Sequence, residues 1–332
     1  MNKVLVTGGA GAIGSNLVKS LIKNEYDVFV ADNLWRGKIE NLFENGKPVI
    51  DLQKNFFEVD LRNKKECNKV LKNIDTVIHL ADIVAGINFV FDNELFVYQS
   101  NIVMNSNMIN AAIENNIKKY VYVGTACSYP AEMQSALNPP PFKEEDAYPA
   151  NPESSYGWSK LMGEYECQLA QESNRIDIGI LRLHNVYGPP CEISPEKSQV
   201  IPALCRKAIN FPKEEFLVWG SGEQKRAFLY VDDVINAIIA ILNKGMNKGV
   251  IQVGPDKSIS IAEIAEKIVK ISDKDIQIKF DSSKPEGDKD RAADWSKAKK
   301  ILNWEPKTSI DNGLKETYDW IKNYLKKEQV KI

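Results

Sequence analysis

The chain of 332 residues carries 43 Lys and Arg against 45 Asp and Glu, a formal net charge of -2. That balance argues against a nucleic-acid partner, because no face can be strongly basic without an equally acidic one elsewhere. A hydrophobic content of 43% and a charged content of 27% are ordinary for a soluble globular enzyme, and the length suits a large α/β domain with a smaller second one. Five cysteines, at 67, 127, 167, 191 and 205, are odd in number and irregularly spaced. They read as reduced thiols of a cytoplasmic protein, not as a disulfide framework or a zinc site, so no metal is expected. The first strand starts at Lys3 and no apolar run approaches the ~18 residues of a membrane span, so neither a targeting segment nor a membrane partner is expected.

The apolar run Val4-Leu5-Val6 leads into Thr7-Gly8-Gly9-Ala10-Gly11-Ala12-Ile13-Gly14, and helical spacing of apolar residues continues to Leu21. Strand, glycine turn and helix in that order make the pattern informative. One glycine permits the bend and another lets main chain approach a pyrophosphate. Gly14 allows close packing of helix on strand, and the helix N-terminus offers N–H groups to the anion. This marks Gly8, Gly11, Ala12, Ile13 and Gly14 as a dinucleotide cradle. A second strand ends at Asp32-Asn33, at the distance expected for a carboxylate on the adenosine ribose. That acid favours NAD over NADP, with Arg36 the residue able to overturn the preference.

Further strands are expected at 55–59, 76–82, 119–124 and 177–183, separated by helical stretches that include 94–115 and 154–173. Their near-continuous apolar character is that of a parallel sheet covered on both faces, in which ligands bind at the carboxyl ends of the strands. The polar clusters Asp60-Leu61, Leu80-Ala81, Thr125-Ala126-Cys127 and His184-Asn185 all fall at such ends. Residues 130–153, rich in proline and acids, read as a surface loop flanking the site. Beyond Gly188 the alternation gives way to helices at 198–209, 260–271, 294–302 and 310–326 and strands at 216–219 and 276–280. The expected fold is α/β, a Rossmann-type doubly wound parallel sheet over 1–185 with 226–255 contributing. A smaller mixed α/β lobe is expected from 186–225 and 256–332, with the pocket in the cleft between the two.

Tyr156 and Lys160 stand four apart and share a helix face. A phenol is a poor base at neutral pH, and a nearby ammonium, with the positive nicotinamide ring, would favour its phenolate. Tyr156 would then take a proton from a substrate hydroxyl while hydride leaves the same carbon for NAD.

With these residues in place the chain resembles the extended short-chain dehydrogenase/reductase family, specifically its nucleotide-sugar epimerases and dehydratases. The matching positions are Thr7-Gly8-x-x-Gly11-x-x-Gly14, Asp32-Asn33, Asp60-Leu61, His79-Leu80-Ala81, Tyr156-x-x-x-Lys160, Asn185-x-Tyr187-Gly188-Pro189, Arg226-x-Phe228-x-x-Val231-Asp232-Asp233 and Arg291. The resemblance implies that Asp60 and Leu61 hold the adenine and that Thr125, Tyr156 and Lys160 form the redox triad. Asn185, Arg226 and Arg291 would then bind the diphosphate of a nucleotide sugar, and the two long central helices would form a homodimer interface.

Family 4,6-dehydratases carry Asp-Glu after the catalytic Thr, and this chain has Ala126-Cys127, so a dehydratase is not expected. Thr125-Ala126-Cys127-Ser128-Tyr129-Pro130, Leu204-Cys205-Arg206-Lys207-Ala208 and Pro285-Glu286-Gly287 are similar to the family's GDP-mannose 3,5-epimerases, in which the first Cys is an acid/base. The resemblance implies transient oxidation at C4 of a GDP-hexose or GDP-heptose, with Cys127 removing a proton acidified by the new ketone. There is one departure: where those epimerases place a Lys, this chain has Gln199, kept as a substrate-binding residue. Lys197 is the nearest amine. A C4 epimerase or C4 dehydrogenase, for which Thr125, Tyr156 and Lys160 suffice, stays open as an alternative, as does a non-catalytic NAD-binding sensor or scaffold.

Overall fold

The computed structural model describes residues 2–136, 138–284 and 287–330. Its centre is a seven-stranded parallel sheet of β1 (Lys3–Thr7), β2 (Asp27–Asp32), β3 (Phe56–Glu58), β4 (Thr76–His79), β5 (Lys119–Thr125), β6 (Asp177–Leu183) and β7 (Val250–Val253). The strands lie in the order β7-β6-β5-β4-β1-β2-β3. The chain winds outward in both directions from β1, so the switch point falls between β1 and β4. Their register puts Thr7 beside His79 and Ala31.

Successive side chains of a strand point to opposite faces, and here both faces are covered. Val4, Val6, Val30, Ile78, Val121, Leu181 and Ile251 face one side, packed with Leu17, Val18 and Leu21 of α1 (Ala12–Lys23). Leu5, Ala31, Val77, Tyr120, Tyr122, Ile178 and Ile180 face the other, against Met104, Met108 and Ala112 of α2 (Glu94–Glu114) and Cys167 of α3 (Ser155–Glu172). A third core joins α4 (Val200–Asn210), α5 (Val231–Ala240), α6 (Ile261–Ser272) and α7 (Ile310–Val330) through Leu204, Cys205, Val231, Ile264, Ile268, Leu314 and Tyr318.

Three expectations need correction. The sheet has a seventh strand, β7, and α5, whose Val234, Ile235 and Ile238 pack in the same core as α1, is the crossover helix that leads to it. The strand expected at 276–280 occupies Lys279–Asp281, since its parallel partner Leu217–Trp219 is only that long. Residues 130–153 lie at the surface beside the site, as expected, but are docked on it by buried side chains and contain short helices. Gln134, Phe142 and Ala147 are buried, and Phe142 bridges to Ala293. Pro285 and Glu286, part of the 3,5-epimerase resemblance, lie outside the described residues.

A buried ion pair sets the height of α3 on the sheet. Arg182 of β6 donates through Nε and Nη2 to the two carboxylate oxygens of Glu164, at 3.1 and 2.6 Å, and both side chains are 1% exposed. Gly124 makes room for it, since a Cβ there would stand 2.2 Å from Glu164 Oε1. Glu164→Met alone leaves a buried guanidinium without its counter-ion and is expected to cost about 3–5 kcal/mol in urea unfolding. Replacing both residues by Met is expected to recover most of that loss. A single substitution costing under about 1 kcal/mol would show that the pair does not hold the helix.

Candidate active site

At the carboxyl ends of the strands a cleft of about 1070 Å³ opens between the sheet and the third core. Its floor is the β1–α1 turn. Gly8 has φ +67°, and a Cβ on it would lie 2.9 Å from the Ala81 nitrogen. A Cβ on Gly14 would lie 2.2 Å from the Gly8 carbonyl oxygen, so α1 can approach the turn only because that position is glycine. No side chain caps the N-terminus of α1, so its first N–H groups face the cleft as an anion site. Asp32 accepts from Ala10 N and Leu34 N, each at 2.9 Å, which fixes its carboxylate over the turn. Burial pushes its pKa up, and these hydrogen bonds oppose the shift.

The outer wall of the adenosine side is also tied down. Asp60 is clasped by Arg62, with Nε 3.0 Å from both carboxylate oxygens, and this guanidinium holds the carboxyl below its usual range. Arg36 donates to the Val84 carbonyl at 3.0 Å, bridging the two loops that flank the cleft. A dinucleotide fits this cradle because a side chain at Gly8 or Gly14 would fill or deform it.

Tyr156 and Lys160 both come from the first turns of α3, whose N-cap Ser154 accepts from Gly157 N. Both meet the carboxylate of Asp82. The Tyr156 hydroxyl donates to Asp82 Oδ2 at 3.0 Å, and the Lys160 ammonium lies 3.8 Å from that same oxygen. Burial and then the Asp82 charge push the Tyr156 phenol well above its ordinary value, a shift that the ammonium and the positive nicotinamide ring would oppose. Burial also lowers the Lys160 pKa, against the pull of Asp82.

Thr125 ends β5, and its hydroxyl accepts from Cys127 N at 3.3 Å. Cys127 Sγ lies 3.9 Å from Arg291 Nη2, which also donates to Asn185 Oδ1 at 3.2 Å. Through Nη1 the same guanidinium donates to Gln134 Oε1, to the Ala126 carbonyl and to Asp288 Oδ2. Arg226 is buried beside it, donating to the Lys225 and Asp288 carbonyls. Neither arginine is a solvated surface charge.

Gln199 occupies the N-cap position of α4 without a side-chain capping bond and lines the cleft, whereas the Lys197 ammonium donates to the Trp35 carbonyl over the indole ring. His184 donates to Gln252 Oε1, and burial followed by the Arg291 charge pushes its pKa down to about 3, so the ring is neutral. His79 is likewise buried and neutral.

Gly8, Gly11, Ala12, Ile13, Gly14, Asp32, Asn33, Asp60, Leu61, Leu80, Ala81, Thr125, Cys127, Tyr156, Lys160, Asn185, Gln199, Arg226 and Arg291 thus line one cleft. Sequence reasoning missed Asp82, Glu153 and Asp288, which line it too. Asp82 carried a usable signal, as the acid closing the fourth apolar run. Glu153 and Asp288 are 135 positions apart and carried none. Among the described residues no group of His, Cys, Asp and Glu is arranged to hold a metal ion.

Residues 4–254 match the NAD dependent epimerase/dehydratase family. The GDP-mannose 3,5-epimerase of Arabidopsis thaliana is 32% identical over 329 residues, covering 99% of this chain and 84% of the relative. The putative UDP-glucose 4-epimerase of Methanocaldococcus jannaschii is 31% identical over 324 residues, covering 96% of this chain and 98% of the relative. The crystal structure of Thermotoga maritima UDP-glucose 4-epimerase with UDP-glucose superimposes with a TM-score of 0.87 at 26% identity, covering 97% of this chain and 99% of that one. With a glycine cradle at the switch point and a Tyr-Lys pair above it, the chain belongs to the NAD dependent epimerase/dehydratase family and is an NAD-dependent enzyme of the extended short-chain dehydrogenase/reductase type.

Proposed function

We propose that this enzyme is a nucleotide-sugar epimerase that oxidises C4 transiently and inverts C3 or C5 of a GDP-mannose-like sugar, a GDP-hexose or GDP-heptose. The observation that carries the reading is the position of Cys127. Its sulfur lies at the end of β5 two residues past Thr125, 3.9 Å from a permanently charged guanidinium. A cation at that distance suits a sulfur that must be a thiolate before it takes a carbon acid's proton. The GDP-mannose 3,5-epimerase relative supports the choice of sugar.

NAD, when bound, supplies the hydride acceptor for C4. Gly8, Gly11, Ala12, Ile13 and Gly14 would cradle its pyrophosphate. Asp32 and Asn33 would take the adenosine ribose, Asp60 and Leu61 the adenine, and Leu80 and Ala81 the wall behind. Asp32 favours the dinucleotide without a 2′-phosphate. Tyr156 exchanges the O4 proton, Thr125 orients the sugar, and Lys160 fixes the charge around Tyr156. Arg226, Arg291, Asn185 and Gln199 would hold the diphosphate and sugar, because planar guanidinium donors suit phosphate oxygens. In this reading residues 1–185 with 226–255 serve the cofactor, and 186–225 with 256–332 serve the substrate.

One observation favours a second reading, C4 epimerisation or C4 oxidation alone. Gln199 stands where the 3,5-epimerases place a Lys and cannot carry a proton, and the Lys197 ammonium is held by the Trp35 carbonyl. The UDP-glucose 4-epimerase relative agrees with that reading.

Glu153 and Asp288 set the pH response of the cleft. Their carboxyls share a hydrogen bond, and this contact with burial pushes Glu153 up to about 7. The Arg291 and Arg226 charges help hold Asp288 below its usual range, against the cost of burial. The reducing compartment suggested by five free cysteines is taken to be the cytoplasm. A homodimer through α2 and α3 is proposed because Leu95, Phe96 and Val103 of α2 and Tyr165 and Leu169 of α3 are exposed apolar side chains.

Incubation with GDP-, UDP- and dTDP-sugars in D2O is expected to place deuterium at C3 or C5 of a GDP-sugar. Cys127→Ser should reduce that uptake by about 10²-fold or more while bound NAD is still reduced. Turnover without label at either carbon would leave only the C4 reading. Because the folded-state pKa of Glu153 is raised, its contribution to stability is complete below the unfolded value and lost as pH rises to about 7. Thermal unfolding should therefore show a decline in stability between mildly acidic and neutral pH that Glu153→Gln flattens. Light scattering at micromolar concentration is expected to give the mass of a dimer, and Leu95→Asp/Leu169→Asp that of a monomer.

A further inference from the structure

In the sheet β1 lies between β4 and β2, so the segments that leave those two strands flank the glycine turn from opposite sides. The two segments meet. Arg36, after β2, donates to the Val84 carbonyl, after β4, at 3.0 Å. Trp35 packs on Phe89 of that same segment, with ring centres 5.5 Å apart. Trp35, Arg36, Val84 and Phe89 line one cleft with Gly8, Gly11 and Asp32. The bridge is also seated on the turn. Lys38 N donates to the Ala10 carbonyl at 3.1 Å, and a Cβ on Gly37 would stand 2.8 Å from the Ala10 carbonyl carbon. Leu34 is held at φ +56°, which a leucine keeps only where its surroundings fix it.

A third segment grips the bridge from the substrate side. Lys197, just before α4, donates to the Trp35 carbonyl at 3.3 Å and places its ammonium 5.1 Å from the centre of the indole. Beside it, the Ser198 carbonyl oxygen lies 3.4 Å from where a Cβ on Gly86 would stand. From α7, the Tyr324 hydroxyl accepts from Lys38 at 3.1 Å.

We propose that Trp35 and Arg36 form a strap that closes over the pyrophosphate and adenosine of bound NAD, and that Lys197 couples this strap to the substrate side. The coupling rests on the reading in which residues 186–225 serve the substrate. A dinucleotide in the glycine turn is enclosed between the two segments and leaves only when the Arg36–Val84 and Trp35–Phe89 contacts part. A nucleoside diphosphate held at the start of α4 steadies the segment that carries Lys197, keeps the strap shut and slows cofactor release. The effect is reciprocal, so bound NAD tightens the hold on the nucleoside diphosphate by the same factor. A strap that opens rarely suits a cofactor reduced and reoxidised on one protein, and it favours a redox-neutral epimerisation over a C4 dehydrogenase, which must exchange NAD in every cycle.

The test follows release of radiolabelled NAD from the holoenzyme into excess unlabelled NAD, with and without saturating GDP or UDP. Wild type is expected to release it slowly, and the nucleotide that binds should slow release by about tenfold more. Trp35→Ala/Arg36→Ala should release NAD about tenfold faster or more, since lost contacts act mainly on the off-rate. Trp35→Phe, which keeps an aromatic face and the main-chain acceptor, should restore slow release. Lys197→Met should lose the nucleotide effect. Wild type that exchanges its NAD within seconds overturns the strap, as does a double variant as slow as wild type. A nucleotide effect that survives Lys197→Met overturns the coupling. Wild type and Lys197→Met decide the matter even if the double variant does not fold. Wild type that retains NAD but binds neither GDP nor UDP would instead sink the substrate reading, and the double variant would still decide the strap.

Discussion

A directed chain of buried hydrogen bonds joins the cofactor turn to the helix that carries the site chemistry. The Thr7 hydroxyl at the end of β1 donates to His79 Nδ1 at 2.7 Å, and His79 Nε2 donates to Asn105 Oδ1 at 3.0 Å. Asn105 passes the direction on to the Tyr122 hydroxyl, which donates to the Lys160 carbonyl at 3.2 Å. Thr7 Oγ1 is itself an acceptor for Leu80 N and Ala81 N, both at 3.1 Å. With Thr7 and Tyr122 each donating once, only one orientation satisfies every member, and it requires a neutral His79. Burial, followed by the Lys160 charge, supplies that condition by pushing the imidazole down to about 3. A half-satisfied network at this depth would cost more than an apolar core. The chain therefore fixes strand, sheet centre and helix in one relative position.

That constraint explains why the reacting groups need little support of their own. Lys160 is anchored by its carbonyl at the end of the hydrogen-bond chain and by its ammonium over the Tyr122 ring. Tyr156 sits one turn earlier on the same helix, and the Arg182–Glu164 pair sets that helix against β6. The distance from the glycine turn to the phenol is thus carried by rigid elements, which is what a hydride transfer between two bound molecules requires. The substrate side is built differently. Gln252 of β7 accepts from Tyr129 and His184 and donates to the Phe142 and Asp294 carbonyls, stitching the 130–153 segment and the Arg291 segment to the sheet edge. Arg291 reaches Cys127 because this added layer folds over the strand ends.

What was legible in the sequence follows the range of the interaction that carries it. The glycine turn, the apolar strands, Asp32, and the Tyr156 and Lys160 pair are patterns within a turn or a strand, and each could be read from spacing. Strand β7 could not, because only its pairing with β6 makes residues 250–253 a strand. The docking of 130–153 depends on Phe142 meeting Ala292 and Ala293, which no local period reports. The spacing of Tyr156 and Lys160 reports their proximity. It does not report Asp82, which comes from another strand end, 74 positions before Tyr156, and accepts from its hydroxyl.

The two ends of the cleft therefore have opposite charge logic. Around Cys127, Arg291 and Arg226 concentrate positive charge that Asp288 only partly offsets, which suits phosphates and a sulfur that must become an anion. Around Tyr156, Asp82 neutralises the one cation and leaves a hydroxyl that donates outward in the resting state. A sugar bound with its diphosphate toward the arginines would present its hydroxyl to a tyrosine already aimed at a carboxylate.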